Sequence, residues 1–359
     1  MYDLLEIEQH IKDQISNGIV IPPTLIELNG LPLINRCTIN ILQGKQGSHK
    51  SRFAENICSI LLNETYEFAG FKKACIEEIT VCYIDTERNT THEFPEAIER
   101  ILTQSKLDIT NPLIRFSSVK QARRKERMDA IRDYIKALRK DTSNHLFIVL
   151  DVLSDFIGDF NNVEQTMDLT DYLGNLIEDN DVTLLLVIHE NPFSDKARGN
   201  LGTEAVNKAS TVMSIGFEKN RSQDTTDLIK LDFIKTRRIA KPSALHLKFD
   251  DIQNSLRIAK EHEIKKVVAD RRLKASTEQI VKTLGEFMIS GKEYTQKEVF
   301  SQIKNIHECS DNTIRDRLDD IIKKKTTIEI ADGVDYHLDK NVNSGVKTIY
   351  LLKQKLWKV

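Results

Sequence analysis

The chain has no apolar run near the ~20 residues that a membrane-spanning helix requires, so it reads as having no membrane partner. Its five cysteines, Cys37, Cys58, Cys75, Cys82 and Cys309, contain no C-x-x-C pair. That spacing argues against a zinc site or a disulfide framework and fits reduced core thiols. The start, Met1-Tyr2-Asp3-Leu4-Leu5-Glu6, is acidic where a secretory signal would be basic, which makes a cytoplasmic location the expectation. No internal repeat or low-complexity segment is present. An excess of either charge is missing too: 52 Lys and Arg stand against 54 Asp and Glu, so nothing global advertises nucleic acid.

What is present is an ordinary globular composition over 359 residues, long enough for one domain of about 250 residues and a smaller one. The charge is unevenly spread. The segment after residue 256 is net basic by roughly five charges, a weak sign of a DNA-facing appendage.

The most informative stretch is Thr38-Ile39-Asn40-Ile41-Leu42 followed by Gln43-Gly44-Lys45-Gln46-Gly47-Ser48-His49-Lys50-Ser51. An apolar strand breaks into a glycine-bearing turn and ends in Lys-Ser, the pattern of a phosphate-binding loop whose backbone N–H groups and helix N-terminus cradle polyphosphate. Gly44, Lys50 and Ser51 fit; His49 occupies the position of the second glycine. A side chain there narrows the approach of backbone to phosphate.

Around this loop, apolar runs alternate with helical periodicity. The spacing predicts a helix over 4–17, a short helix or loop over 24–31, and strands at 37–42, 80–84, 113–116, 145–151 and 183–188. Helices are expected between them. Such an alternation implies right-handed crossovers and a parallel sheet with helices on both faces, with ligands at the carboxyl ends of its strands. Segments 211–217, 228–235 and 244–249 read as more antiparallel. A charged helix over 261–274 reads as a linker. Three helices and a strand pair near Ile328–Ile330 and Thr348–Leu352 then follow, the order of a winged helix. The resulting division is an N-terminal helical segment (1–30), an α/β domain (31–256), a helical linker (257–275) and a winged-helix-like domain (276–359).

Several polar groups converge at strand ends. Lys50 is expected at the β- and γ-phosphates and Ser51 at Mg²⁺. Asp151 closes a strand expected to lie beside the loop and would hold the metal's shell, while Glu87 is placed to deprotonate the attacking water. Asp85 can equally supply local hydrogen bonds, and His189 can sense the γ-phosphate. Lys235 and Arg237 point the same way on an extended strand and can reach a nucleotide on an adjacent subunit. A solvated basic turn is the competing reading.

The stretches Gly44–Ser51, Tyr83-Ile84-Asp85-Thr86-Glu87, Ile148-Val149-Leu150-Asp151, Val187-Ile188-His189-Glu190-Asn191 and Arg198–Lys208 resemble the RecA-like hexameric ATPases of the RepA helicase type, especially mobile-element forms, over roughly residues 30 to 250. The resemblance implies a RecA-like core, ATP and Mg²⁺, Glu87 as catalytic carboxylate, Asp151 as metal-shell residue, and a subunit-bridging site. It makes Lys208 a second candidate finger beside Lys235 and Arg237. It also implies that a basic residue is tolerated at the second loop glycine. Outside it, Arg315, Arg317, Lys323, Lys324 and Lys325 on the third C-terminal helix can face DNA. The leading expectation is an ATP-hydrolysing homo-oligomer, a hexameric ring or filament, acting on single-stranded or duplex DNA as a helicase-like motor. The alternative is an ATP-gated DNA-binding regulator or defence sensor without unwinding.

Overall fold

A computed structural model describes residues 4–19, 21–191, 194–219, 225–272, 276–307, 309–330, 334–343 and 347–354. The chain divides into two units, Met1–Phe217 with Ile229–Ala259, and Glu218–Leu228 with Lys260–Val359. In order, the elements are α1 (Leu4–Ser16), β1 (Thr24–Leu28), β2 (Leu31–Asn35), β3 (Ile39–Gly44), α2 (Lys50–Leu62), β4 (Phe71–Lys73) and β5 (Ile79–Asp85). Next come α3 (Glu93–Ser105), β6 (Ile114–Ser118), α4 (Arg124–Asp141), β7 (His145–Asp151), α5 (Val163–Asn180), β8 (Val182–His189) and α6 (Gly199–Lys208). Then follow β9 (Thr211–Lys219), β10 (Thr225–Thr236), β11 (Leu245–Asp250) and β12 (Ser255–Ile258).

The expected α/β core with a mostly parallel central sheet is present. Nine strands run in the order β12-β11-β10-β9-β3-β8-β7-β5-β6. Pairs β9–β3, β3–β8, β8–β7, β7–β5 and β5–β6 are all parallel. The side-chain period of two sorts each strand between two cores. Val81, Tyr83, Phe147, Val149 and Leu185 pack with Phe53 and Ile57 of α2 and Ile98 of α3. Cys82, Ile84, Ile148, Leu150, Leu184 and Leu186 pack with Ile135 of α4 and Leu173 of α5 on the other face. Burial on both faces is why these strands read as unbroken apolar runs.

Several expectations change. Residues 24–28 form β1, with Leu25, Ile26 and Leu28 buried, in a three-stranded antiparallel sheet β2-β1-β4. Among the described residues, the N-terminal segment is helical over α1 and extended over β1. The first core strand begins at Ile39, because Cys37 turns with φ 57°. β9 is parallel to β3, not antiparallel, because α6 returns the chain across the sheet from β8. Residues 257 and 258 of the expected linker belong instead to strand β12, paired antiparallel with β11.

The second unit contains α7 (Glu261–Arg272), α8 (Thr277–Phe287), β13 (Tyr294–Thr295), α9 (Gln296–Ile306), α10 (Asp311–Lys324), β14 (Thr327–Glu329), β15 (Asp335–Asn343) and β16 (Lys347–Gln354). The expected strand pair is a sheet of four, β13-β16-β15-β14. Its longest pairing, β15 with β16, involves a polar strand without an apolar run to announce it. Ile280, Leu284, Val299, Ile303, Ile314 and Leu318 make its core with Leu338 and Leu352. Capping boxes at Ser276/Gln279 and Thr295/Glu298 fix the starts of α8 and α9.

At the amino-terminal edge of the parallel sheet, His145 is buried at the start of β7. Burial pushes its pKa down to about 4 from 6.5, outweighing the upward pull of Asp181 and aided by Arg36 and Arg139. The neutral imidazole is thus the folded form, while the unfolded chain binds a proton below its ordinary pKa. Stability is fully present above pH 6.5 and falls as pH drops from there toward 4, by at most about 3 kcal/mol from this residue. Denaturant titrations across that window are expected to show the fall, and His145→Gln to flatten it.

Candidate active site

Between β3 and α2 the loop turns on three residues whose backbone conformation matters. A Cβ on Gly44 would lie 2.2 Å from the Ile215 carbonyl oxygen, so only glycine fits there. Gly47 has φ +74° with open space around it. His49, at φ 65° and ψ 25°, takes the left-handed conformation that a second glycine would adopt freely. For a residue with a Cβ this costs about 1–2 kcal/mol. Its ring stacks on Phe249 at 4.7 Å and meets the Phe217 edge at 5.6 Å, contacts worth about 0.5–1.5 kcal/mol each. Burial, reinforced by Arg52, lowers the His49 pKa and favours the neutral ring. Arg52 lies over Phe249 and donates to both the carbonyl and side-chain oxygens of Asn254, tying α2 to the β11–β12 turn.

Lys50 is buried, and its Nζ donates to the Lys45 carbonyl at 2.7 Å, folding the side chain along the loop. Burial lowers its pKa, while the charges of Asp151, Glu87 and Glu190 oppose that shift. The lysine therefore sits in the combined field of three carboxylates. Ser48 Oγ is buried without a hydrogen-bond partner among the described residues. Lys45 pairs with Asp195 at 3.4 Å, Gln46 is exposed, and Ser51 lies in the first turn of α2. Loop N–H groups, a buried ammonium and an orphaned hydroxyl are a donor set that suits an anion.

The strand ends supply the acids. Gly44 lies opposite His189 in the β3–β8 register, and Asp85 opposite Asp151 in β5–β7. β7 does not lie beside the loop's strand as expected: β8 is inserted between β3 and β7. The inserted strand carries His189, whose Nε2 is 3.3 Å from Glu87 Oε1, and this contact is the main reason the Glu87 pKa is lowered. His189 Nδ1 is buried without a partner among the described residues. Asp151 accepts from the Tyr83 hydroxyl at 2.7 Å and from Arg88 at 3.4 Å, both on Oδ2. Asp85 accepts from the Glu87 and Arg88 backbone N–H groups and from Arg88 Nε, so it shapes the turn that presents Glu87.

Two participants escaped the sequence reading. Arg88 joins Glu55 of α2, Asp85 and Asp151, and its guanidinium lies over the rings of Tyr83 and Phe94. Arg100 supplies Glu55 with a second partner at 2.9 Å. Glu190, buried, accepts from Gln43 at 2.9 Å and Ser214 at 2.7 Å. Their only signal in the sequence is adjacency to Glu87 and His189.

Lys208, Lys235 and Arg237 are not brought to this loop. Lys235 donates to the Val206 and Asn207 carbonyls, and Arg237 donates to that of Asn207, capping the C-terminus of α6. Arg237 N also bonds Ser210 O, and Ser210 N bonds Ile39 O, which puts the group at the opposite, amino-terminal edge of the sheet. In the second unit Arg315, Arg317, Lys323, Lys324 and Lys325 are exposed on or just after α10. Arg315 bonds Asn312 and lies near the Phe300 ring, Lys324 pairs with Asp320, and Lys325 ends the helix at φ 46°.

No protein-family model matches the sequence, and no curated protein matches it. Among solved structures, the crystal structure of the RadB recombinase is similar at a TM-score of 0.43 and 10% identity, over 65% of this chain and 95% of that one. No helix among the described residues is long and apolar enough to cross a membrane.

Removing the Arg88 guanidinium leaves Asp85 and Asp151 without their counter-charge in a buried setting, while Glu55 keeps Arg100. Arg88→Ala is expected to lower the unfolding free energy by about 3–5 kcal/mol, read by urea denaturation.

Proposed function

We propose that the first unit is a RecA-like ATPase, and that the chain acts on DNA as a homo-oligomer. The observation that carries this reading is a buried Lys50 on a glycine-bearing loop between a parallel strand and a helix, in the field of Glu87, Asp151 and Glu190. Ligands gather at this edge of parallel sheets. The unpartnered Ser48 hydroxyl and the loop N–H groups fit a polyphosphate.

In this reading residues 44–51 hold the phosphates of ATP, and Lys50 leaves the Lys45 carbonyl to neutralise charge on them. Ser51 and Asp151 would hold Mg²⁺, Asp151 Oδ1 lying outside both hydrogen bonds that fix Oδ2. The bound ion would supply positive charge to the phosphate oxygens. Glu87 takes a proton from the attacking water, and its lowered pKa keeps it ionised and able to do so. His189 orients Glu87 from the end of β8 and registers its state at Gly44, its partner in the pairing.

Lys208, Lys235 and Arg237 lie far from their own loop and act, in this reading, on the nucleotide of a neighbouring copy in a hexameric ring or filament. The helix order of the second unit and its four-stranded sheet support a winged-helix reading, with the exposed basic residues of α10 directed at duplex or single-stranded DNA. A helicase-like motor for mobile-element replication or transfer, in the cytoplasm, is the finer form of the proposal.

One observation favours a second reading, an ATP-gated DNA-binding regulator. His49 is fixed by Phe249 and Phe217 at the point where backbone must pass phosphate, which suits slow turnover.

Purified protein is expected to hydrolyse ATP with Mg²⁺, with stimulation by single-stranded DNA. Lys50→Ala and Glu87→Gln should each reduce turnover by at least about a hundredfold. Full hydrolysis by Glu87→Gln would remove that residue from the reaction. Directional unwinding of a forked duplex supports the motor. Sequence-specific protection of duplex DNA without unwinding supports the regulator. The mass of the assembly with ATP, measured with and without single-stranded DNA, tests the ring or filament.

A further inference from the structure

We propose that Cys37, His145 and Asp181 form a binding site for a zinc-class divalent ion at the amino-terminal edge of the sheet. The three come from separate parts of the chain: the turn before β3, the first residue of β7 and the turn before β8. One ligand atom from each lies within 4.8 Å of the others. Asp181 Oδ1 is 3.2 Å from Cys37 Sγ and 3.1 Å from His145 Nδ1. Thiolate, imidazole and carboxylate together are a zinc donor set, and three protein ligands leave a fourth position for water. Absence of a C-x-x-C pair had argued against a zinc site, but that spacing applies to ligands on one local loop, and these are assembled by the sheet.

Each ligand is held from behind, as metal ligands generally are. His145 Nε2 lies 2.8 Å from Thr183 Oγ1, which also accepts from the Cys37 N–H and faces the Asn35 carbonyl at 3.4 Å. With the Thr183 proton directed to Asn35, Nε2–H donates to Thr183 and the bare Nδ1 lone pair faces Asp181 Oδ1. Two acceptors then oppose each other, an arrangement that a cation between them satisfies. Arg36 pairs with the outer oxygen Oδ2 and donates from Nε to Oδ1 at 2.9 Å, which fixes the carboxylate plane. Binding replaces the thiol proton of Cys37, which leaves to solvent, by the metal. Entry is open, because Cys37 and Asp181 line a surface cavity of about 760 Å³.

The ion would tie together the starts of β3, β7 and β8, three neighbouring strands of the parallel core. Its role would be structural and independent of nucleotide.

The test uses the full chain, stripped with a chelator and free of nucleotide. Cobalt(II) is added as a spectroscopic probe and zinc is titrated against a chromophoric competitor. Expected are one ion per chain, a thiolate-to-cobalt charge-transfer band, and a zinc-dependent rise in the thermal midpoint. Cys37→Ser should abolish the band and weaken zinc binding more than tenfold. Zinc should also slow alkylation of Cys37, followed by mass spectrometry, while leaving Cys75 unaffected. This readout needs no variant and stands even if Cys37→Ser fails to fold. Equal alkylation of Cys37 with and without zinc, together with no thiolate band, would overturn the site and leave a hydrogen-bonded cluster only.

Discussion

The partly buried guanidinium of Arg88 is the counter-charge that lets three carboxylates from three elements occupy one small volume. An unpaired carboxylate in such a place would take up a proton or draw in water. Arg88 meets Glu55 on α2, Asp85 at the end of β5 and Asp151 at the end of β7, and two aromatic rings flank it. Asp85 holds both the Arg88 guanidinium and the backbone of Glu87, so a carboxylate of the neutralised cluster sets the turn that exposes the next one. The candidate catalytic base is thus presented from the same turn that holds the counter-charge of its neighbours. Arg100 shares the load at Glu55, which anchors α2 to α3.

A parallel sheet gives its two ends different chemistry. At the carboxyl end the loop N–H groups, Lys50 and the acids meet, with β8 setting His189 between the loop and Glu87. At the amino end, side chains of opposite sign are satisfied by one another and by helix termini. Arg139 closes the C-terminus of α5 through the Asn180 and Asp181 carbonyls, and Lys235 with Arg237 does the same for α6. Any action of Lys235 or Arg237 on a neighbouring copy would therefore first release a helix cap.

Much of the sheet was legible because its strands are buried on both faces: 80–84, 145–151 and 183–188 carry unbroken apolar runs and are β5, β7 and β8. The loop at 44–51 was legible because its requirement is local in sequence. What was not legible depends on distant partners. β1 is short and is held by β2 and β4, and β15 is polar, so neither has a periodic signal of its own. The direction of β9 follows from the passage of α6 across the sheet. The insertion of β8 beside β3 is a matter of strand order, on which spacing is silent. Arg88 reads as an ordinary exposed charge until Tyr83, Phe94 and Glu55 are seen around it. Cys37, His145 and Asp181 are separated by more than a hundred residues from first to last, and only the parallel register brings them together.

The left-handed His49 carries a consequence for how such a chain can change over time. A glycine at that position would need no support, but the imidazole is held by Phe249, which also receives Arg52. The identity at 49 and the identity at 249 are then a single inherited choice. Drift at the distant strand β11, with the loop sequence untouched, would reach the phosphate loop as surely as a substitution within it. The surface that governs the loop's tolerance to mutation is therefore larger than the motif by which the loop is recognised.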